Sequence, residues 1–363
     1  MQISSFAFTV LSFAVALGVL VFVHELGHFM VAKRLGVKVL RFSIGFGPVL
    51  LRRRRGETEY ALSAFPLGGY VKMLGEDAEE EASEAAAEPE RAFSSQAPRR
   101  RAAIVFAGPA MNFIFAFLTY ALLFLVVGIE MPSNEPRVGG VMAGLPAERA
   151  GLQVGDRITA VDGTAIATWE QLSRMVVESK GVALTLRVER DGAQFPVQIT
   201  PALHEPRTLL GEPAEKVYRI GIEASHEWES VGPVRALTVA AQQTWTATSM
   251  VAGGLVLMVR GRVPLRELGG PIAIARAAGQ QARAGVRYFL SMLAFLSINL
   301  GVLNLLPVPA LDGGHLAFFA VEGLLRRPLR PRQREIAQQV GLLVLITLMV
   351  FVFYNDIHRL VQG

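Results

Sequence analysis

Residues 1–23 contain no charged side chain, and neither do residues 102–129, which lie between Arg101 and Glu130. A third apolar run extends from Tyr288 to Val321, broken only by Asp312 and His315, and a fourth covers Ile336 to Tyr354. Each reaches or approaches the ~20 residues that a membrane-crossing helix requires. The pattern predicts an α-helical polytopic membrane protein with four transmembrane helices. Composition agrees: of 363 residues, 52% are apolar and 18% charged, which argues against a disordered chain, a nucleic-acid partner and an ordinary soluble enzyme. The first run lacks the basic start and small-residue cleavage site of a signal peptide. Cysteine is absent, so a disulfide scaffold, a thiol nucleophile and a cysteine-ligated metal are excluded.

Basic residues mark one side. Lys33, Arg34, Lys38, Arg41 and Arg52–Arg55 follow the first run, Arg99–Arg101 precede the second, and Arg326, Arg327, Arg330, Arg332 and Arg334 separate the third from the fourth. Four alternating spans put all three loops on one face, which the positive-inside rule makes cytoplasmic. The 130–287 region then faces outward. Residues 236–259 are also uncharged, but their first half is rich in Thr and Gln; we expect a helix on the outer membrane surface and not a fifth span.

The resulting division is a first transmembrane helix over 1–35, a membrane-associated β-hairpin region over 36–75, and an acidic, mobile linker over 76–101. A second span follows over 102–130, a soluble α/β module over 135–203, and a post-module region with a membrane-surface helix over 204–287. The third transmembrane segment covers 288–325 and the fourth covers 335–357.

The first run leads straight into His24-Glu25-Leu26-Gly27-His28. Positions i and i+4 share one face of a helix, so both imidazoles address one metal, with Glu25 beside them to take a proton from a water there. If Lys33 marks the interface, a rise of ~1.5 Å per residue puts His28 ~8 Å and His24 ~14 Å inside the membrane. Catalytic zinc takes three protein ligands and keeps a fourth position open. His204, His226 and His358 fall on the outward side, which leaves Asp312 and His315. A carboxylate in an apolar run demands a partner, so Asp312 is the stronger candidate and His315 the weaker. Asn304, Pro307, Pro309, Gly313 and Gly314 surround Asp312, and prolines and glycines at membrane depth break a helix where its backbone lines a cavity. The hairpin glycines around Gly45-Phe46-Gly47 offer a strand edge to an unwound substrate.

HELGH in a first span with NLLPVPALDGG in a later one resembles the site-2 protease family of intramembrane zinc metalloproteases, and within it the bacterial RseP type. Gly45-Phe46-Gly47-Pro48, FPLGGYVKM at 65–73, AGPAMNF at 107–113 and GGPIAIA at 269–275 extend the resemblance over nearly the whole chain. It implies Zn2+ held by His24, His28 and Asp312, Glu25 as general base, and Asn304 engaging the substrate backbone. The implied partners are single-pass transmembrane substrates of the anti-sigma-factor or signal-peptide class, and the implied location is the bacterial inner membrane. Residues 138–164 resemble the core of a PDZ domain, which implies capture of a peptide or C-terminus at a sheet edge outside the cytoplasm. The best-known Gram-negative relatives carry two such modules in tandem, and only one is evident here. The rival readings are a membrane-tethered zinc peptidase of soluble peptides and a non-proteolytic metal-binding scaffold or transporter. The lack of an inverted repeat argues against transport.

Overall fold

Local hydrogen bonding inside a helix is the simplest way to satisfy peptide groups in hydrocarbon, and α1 accordingly runs unbroken from Gln2 to Arg34, with Lys33 and Arg34 in its last turn. The computed structural model describes residues 2–76, 87–205, 216–264, 269–325, 327 and 329–362. They fall into two units, Met1–Leu123 with Leu237–Gly363, and Phe124–Ala236.

In the first unit, β1 (Val39–Arg55) pairs antiparallel with β2 (Thr58–Met73), and both long strands bend so that each is used twice. Ile44 faces Leu62 on one side and Gly69 on the other, while Arg52 faces Ala61 and Arg55 faces Thr58. The order across the sheet is therefore 49–55, 58–63, 41–46, 69–73, which makes 49–55 and 69–73 the two outer edges. Gly45 (φ 89°) and Gly47 (φ 83°) supply left-handed conformations at the bend. Ten residues of the acidic linker, 77–86, lie outside the described residues. Beyond it, Lys38 pairs with Glu88 at 2.6 Å and Arg91 with Glu57 at 2.5 Å, and α2 starts at Pro98 and ends at Val127.

In the second unit, β3 (Ile129–Pro132) pairs with β12 (His226–Glu229), β4 (Val138–Val141) with β11 (Ile222–Ala224), and β9 (Ala202–His204) with β10 (Val217–Arg219). A four-stranded sheet has the order β6-β5-β7-β8, from Thr164–Ala165, Arg157–Val161, Leu184–Arg190 and Ala193–Ile199. The helices are α3 (Pro146–Arg149) and α4 (Trp169–Glu178), the latter opened by a reciprocal cap between Thr168 and Gln171. Val138, Ile158, Val161, Leu172, Leu186 and Val188 are almost fully buried between them. Asp156 is buried beneath Arg190, whose Nε donates to its Oδ1 at 2.6 Å. Burial works to raise the Asp156 carboxyl, but the Arg190 guanidinium and the Gln153 N–H outweigh it and hold the carboxyl below its usual range. A lowered folded pKa gives stability that is present above the unfolded value, about 4, and is lost as pH falls through the folded value. Asp156→Asn is expected to cost the unit about 2 kcal/mol at neutral pH, read as faster hydrogen exchange at Ile158 and Val188, with the difference from the parent shrinking in acid.

The chain rejoins the first unit with α5 (Pro233–Val259), α6 (Pro271–Ala284), α7 (Val286–Asn304), α8 (Asp312–Leu325) and α9 (Pro331–Gln362). Among the described residues, α1, α2, α7 and α9 are the helices long and apolar enough to cross a membrane; α5 is not one of them. The third segment is thus two helices, because Pro307 and Pro309 interrupt the run and a new helix starts at Asp312. Gly313 and Gly314 permit that restart: an added Cβ would come within 2.2 Å of the Leu306 carbonyl oxygen and 2.3 Å of the Val308 one. Asp356 on α9 is buried and accepts from the backbone N–H groups of Gly270, Ile272 and Ala273, at 2.9, 2.9 and 3.1 Å. It caps α6, and Arg283 at the far end of α6 donates to the Ser5 carbonyl and the Thr9 hydroxyl of α1.

Candidate metal centre

His24 and His28 stand one helical turn apart on the inner face of α1, both about nine-tenths buried. Asp312 at the start of α8 points at them, its Oδ2 3.1 Å from His24 Nε2 and 3.6 Å from His28 Nε2. One donor atom from each of the three lies within 4.8 Å of the others, the sole such group among the described residues. Asp312 Oδ2 is buried and has no hydrogen-bond partner. A buried, unpartnered carboxylate oxygen facing two imidazole nitrogens needs a cation. Two nitrogens and one oxygen, with a further side left open, fit zinc.

The rings are oriented from behind. His28 Nδ1 donates to the Ile104 carbonyl at 2.9 Å, which leaves Nε2 as the free lone pair. The Asn112 side-chain amide meets His24 Nδ1 at 3.0 Å, and Asn112 Oδ1 is otherwise buried without a partner. With the amide turned so that Oδ1 accepts from Nδ1–H, His24 Nε2 is also free for metal. Close helix packing makes this possible. A Cβ on Gly27 would sit 2.2 Å from the Ala107 carbonyl oxygen, and one on Gly108 would sit 2.2 Å from His28 Nε2. Sequence reasoning missed Ile104, Gly108 and Asn112 as supports, although AGPAMNF contains two of them.

Glu25 lines a cavity of about 520 Å³ together with His24, His28 and Asp312. His315 lines it too, against Phe318, and stands outside the three-donor group. The Asn304 amide reaches within 3.3 Å of His24 Nε2 from the end of α7. Gly45, Phe46 and Gly47 are not among the cavity's lining residues. The strand edge that reaches it is Gly69-Tyr70-Val71, and Gly69 approaches so closely that an added Cβ would touch Glu25 Cγ at 3.1 Å. Phe46 stacks flat on Tyr70, ring centroids 6.1 Å apart, and so backs that edge. In the second unit, a separate groove of about 710 Å³ lies between α4 and β11, lined by Trp169, Leu172, Val176, Ile220 and Ile222.

The model of peptidase family M50 matches residues 12–348. The chain belongs to peptidase family M50. A protein of Mesorhizobium japonicum, provisionally named a zinc metalloprotease, is 39% identical over 96% of this chain and 98% of its own length. The regulator of sigma-E protease RseP of Escherichia coli is 34% identical over 98% of this chain and all of its own. That alignment runs over 457 positions against the 363 residues here, room for a further module in the relative. The solved PDZ domain of an SdrC-like protein from Listeria monocytogenes is similar over 26% of this chain and 90% of its own, at 20% identity and a TM-score of 0.19. As an M50 peptidase, the chain is a zinc metalloprotease of the regulated intramembrane proteolysis kind, multi-pass in the inner membrane.

Proposed function

We propose that this M50 peptidase hydrolyses peptide bonds in or near the transmembrane segments of single-pass membrane proteins, with anti-sigma factors or signal-peptide remnants as its substrate class. The observation that carries the reading is the meeting of His24, His28 and Asp312 with Glu25 in one cavity whose wall includes a strand edge. In this reading His24, His28 and Asp312 hold the metal. Zinc bound there supplies Lewis-acid polarisation of a carbonyl and brings the pKa of a water toward ~7. Glu25 accepts that water's proton on its carboxylate and passes it to the leaving nitrogen. A transmembrane helix hides its peptide bonds behind its own hydrogen bonds, so a cleaved segment has to unwind. The Gly69–Val71 edge gives the unwound backbone a strand to pair with, Phe46 between Gly45 and Gly47 backs that edge through Tyr70, and the Asn304 amide binds the substrate backbone close to the scissile bond.

The active site then lies toward the cytoplasmic side, and the PDZ domain, with its groove for a peptide or C-terminus, lies outside. The purified protein should cut a helical membrane peptide in detergent faster than a soluble peptide with the same scissile sequence; equal rates would instead favour a tethered peptidase of soluble peptides. Sidedness is read separately. In this cysteine-free chain, a membrane-impermeant thiol reagent applied to intact cells or spheroplasts should label Arg262→Cys and spare Arg330→Cys. The reverse pattern, or labelling of both, would overturn the four-span orientation.

A further inference from the structure

The outer edge of the β1–β2 sheet opposite the metal cavity carries Val49-Leu50-Leu51 and then Arg52-Arg53-Arg54-Arg55. Leu50 and Leu51 are 64% and 68% exposed, and all four arginines are exposed. No strand pairs with the far side of this edge among the described residues. None of the four arginines forms an ion pair with another described residue, and the nearby carboxylates are taken. Glu59, opposite Arg54 in the ladder, lies 2.7 Å from Arg41, and Glu57 pairs with Lys33 and Arg91, each at 2.5 Å.

The Lys33–Glu57 contact also fixes where this edge sits. It ties the turn at Gly56-Glu57 to the last turn of α1, the end of the first span. From there the arginines run back along the strand for ~10 Å at ~3.4 Å per residue. The polar layer on each side of a bilayer is ~5–8 Å deep, so a strand running from this turn into the membrane would span it with the guanidinium groups of Arg55 to Arg52 and bring Leu51 and Leu50 to the acyl chains. Side chains alternate along a strand, which turns Arg52 and Arg54 to one face and Arg53 and Arg55 to the other. Guanidinium matches phosphate oxygens two at a time.

We propose that Arg52–Arg55, with Leu50 and Leu51 ahead of them, form a docking edge for the headgroups of anionic phospholipids. A ligand of this chemistry supplies what the edge lacks, negative charge on both faces next to an apolar anchor. Lipid held there would steady the sheet whose opposite edge lines the metal cavity.

The test uses the full-length protein in nanodiscs of phosphatidylcholine with a graded fraction of phosphatidylglycerol, and native mass spectrometry counts each retained lipid. Wild type should retain phosphatidylglycerol in preference to phosphatidylcholine, less so when the sample is prepared at high salt. Replacing all four arginines with glutamine should cut the preference at least about five-fold, the factor expected of one lipid-facing basic residue. The pairs R52Q/R54Q and R53Q/R55Q should each cut it partly, and four lysines should keep most of it. Unchanged zinc content in the variants shows that the rest of the molecule is intact. No preference in wild type, or an undiminished preference in the glutamine variants, would overturn the proposal. So would a rise in preference after deletion of 77–86, because that acidic segment would then be the occupant.

Discussion

Replacing Glu25 with glutamine is expected to abolish proteolysis while leaving about one zinc per chain. The two properties separate because Glu25 shares the cavity with the three donors without belonging to their group. Glutamine keeps the size and the hydrogen bonding of the side chain but cannot accept a proton, and general-base assistance is worth ~10²–10⁴ in rate. Asp312→Ala makes the contrast. It removes the sole carboxylate of the group, so zinc and activity should fall together, and metal content by mass spectrometry beside a cleavage assay reads both. Equal zinc loss in the two variants would contradict the division of roles, and full activity in Asp312→Ala would move the third position to His315.

A single methyl group at Gly108 should have a comparable effect from outside the donor set. The Cβ of alanine would stand 2.2 Å from His28 Nε2 and 2.8 Å from His24 Cε1. Histidine is the more movable partner, so the ring swings away and α2 stays helical. His28 then loses its bond to the Ile104 carbonyl and its aim at Asp312. Loss of such support alone weakens metal binding by 10–100-fold, and displacement of a donor exceeds that, so Gly108→Ala should bind zinc at least about 100-fold more weakly. Gly18→Ala is the control, since nothing lies within 4 Å of its added Cβ. Equal zinc affinity in both variants would mean that α2 does not seat the histidines as described.

Local pattern was enough for some of this architecture. The four apolar runs gave four long apolar helices because hydropathy and length are properties of a contiguous stretch. The His24–His28 pair was readable because helical spacing alone puts them on one face. Between Asp312 and His315 the residue pattern left a choice, and geometry separates them: the helix restarts at Asp312, whose side chain reaches both imidazoles, whereas His315 turns toward Phe318. The third segment read as one unit because hydropathy does not see the direction of the backbone. Pro307 and Pro309 marked the break without giving the new helix its course. Sheet edges were the least legible. Alternation and glycines announce hairpins, but which strand ends up outermost depends on β1 pairing twice, and that brings Gly69, not Gly45, beside Glu25. Gly108, Asn112 and Asp356 act across dozens to hundreds of residues of chain, where no periodicity records them.

The donors come from opposite ends of the chain, two at His24 and His28 and the third at Asp312. Ribosomes add roughly 5–20 residues per second, so roughly a quarter of a minute to a minute passes between synthesis of the histidines and of the aspartate. In the proposed reading, the nascent protein carries part of its hydrolytic centre in its first helix during that interval, beside whatever membrane proteins are being inserted nearby. On the proposed roles it would stay harmless there, because the carboxylate is made late and must still fold back against α1. On the proposed ligand set, translation order would act as a safety catch: chains truncated before Asp312 are expected to cut none of their neighbours.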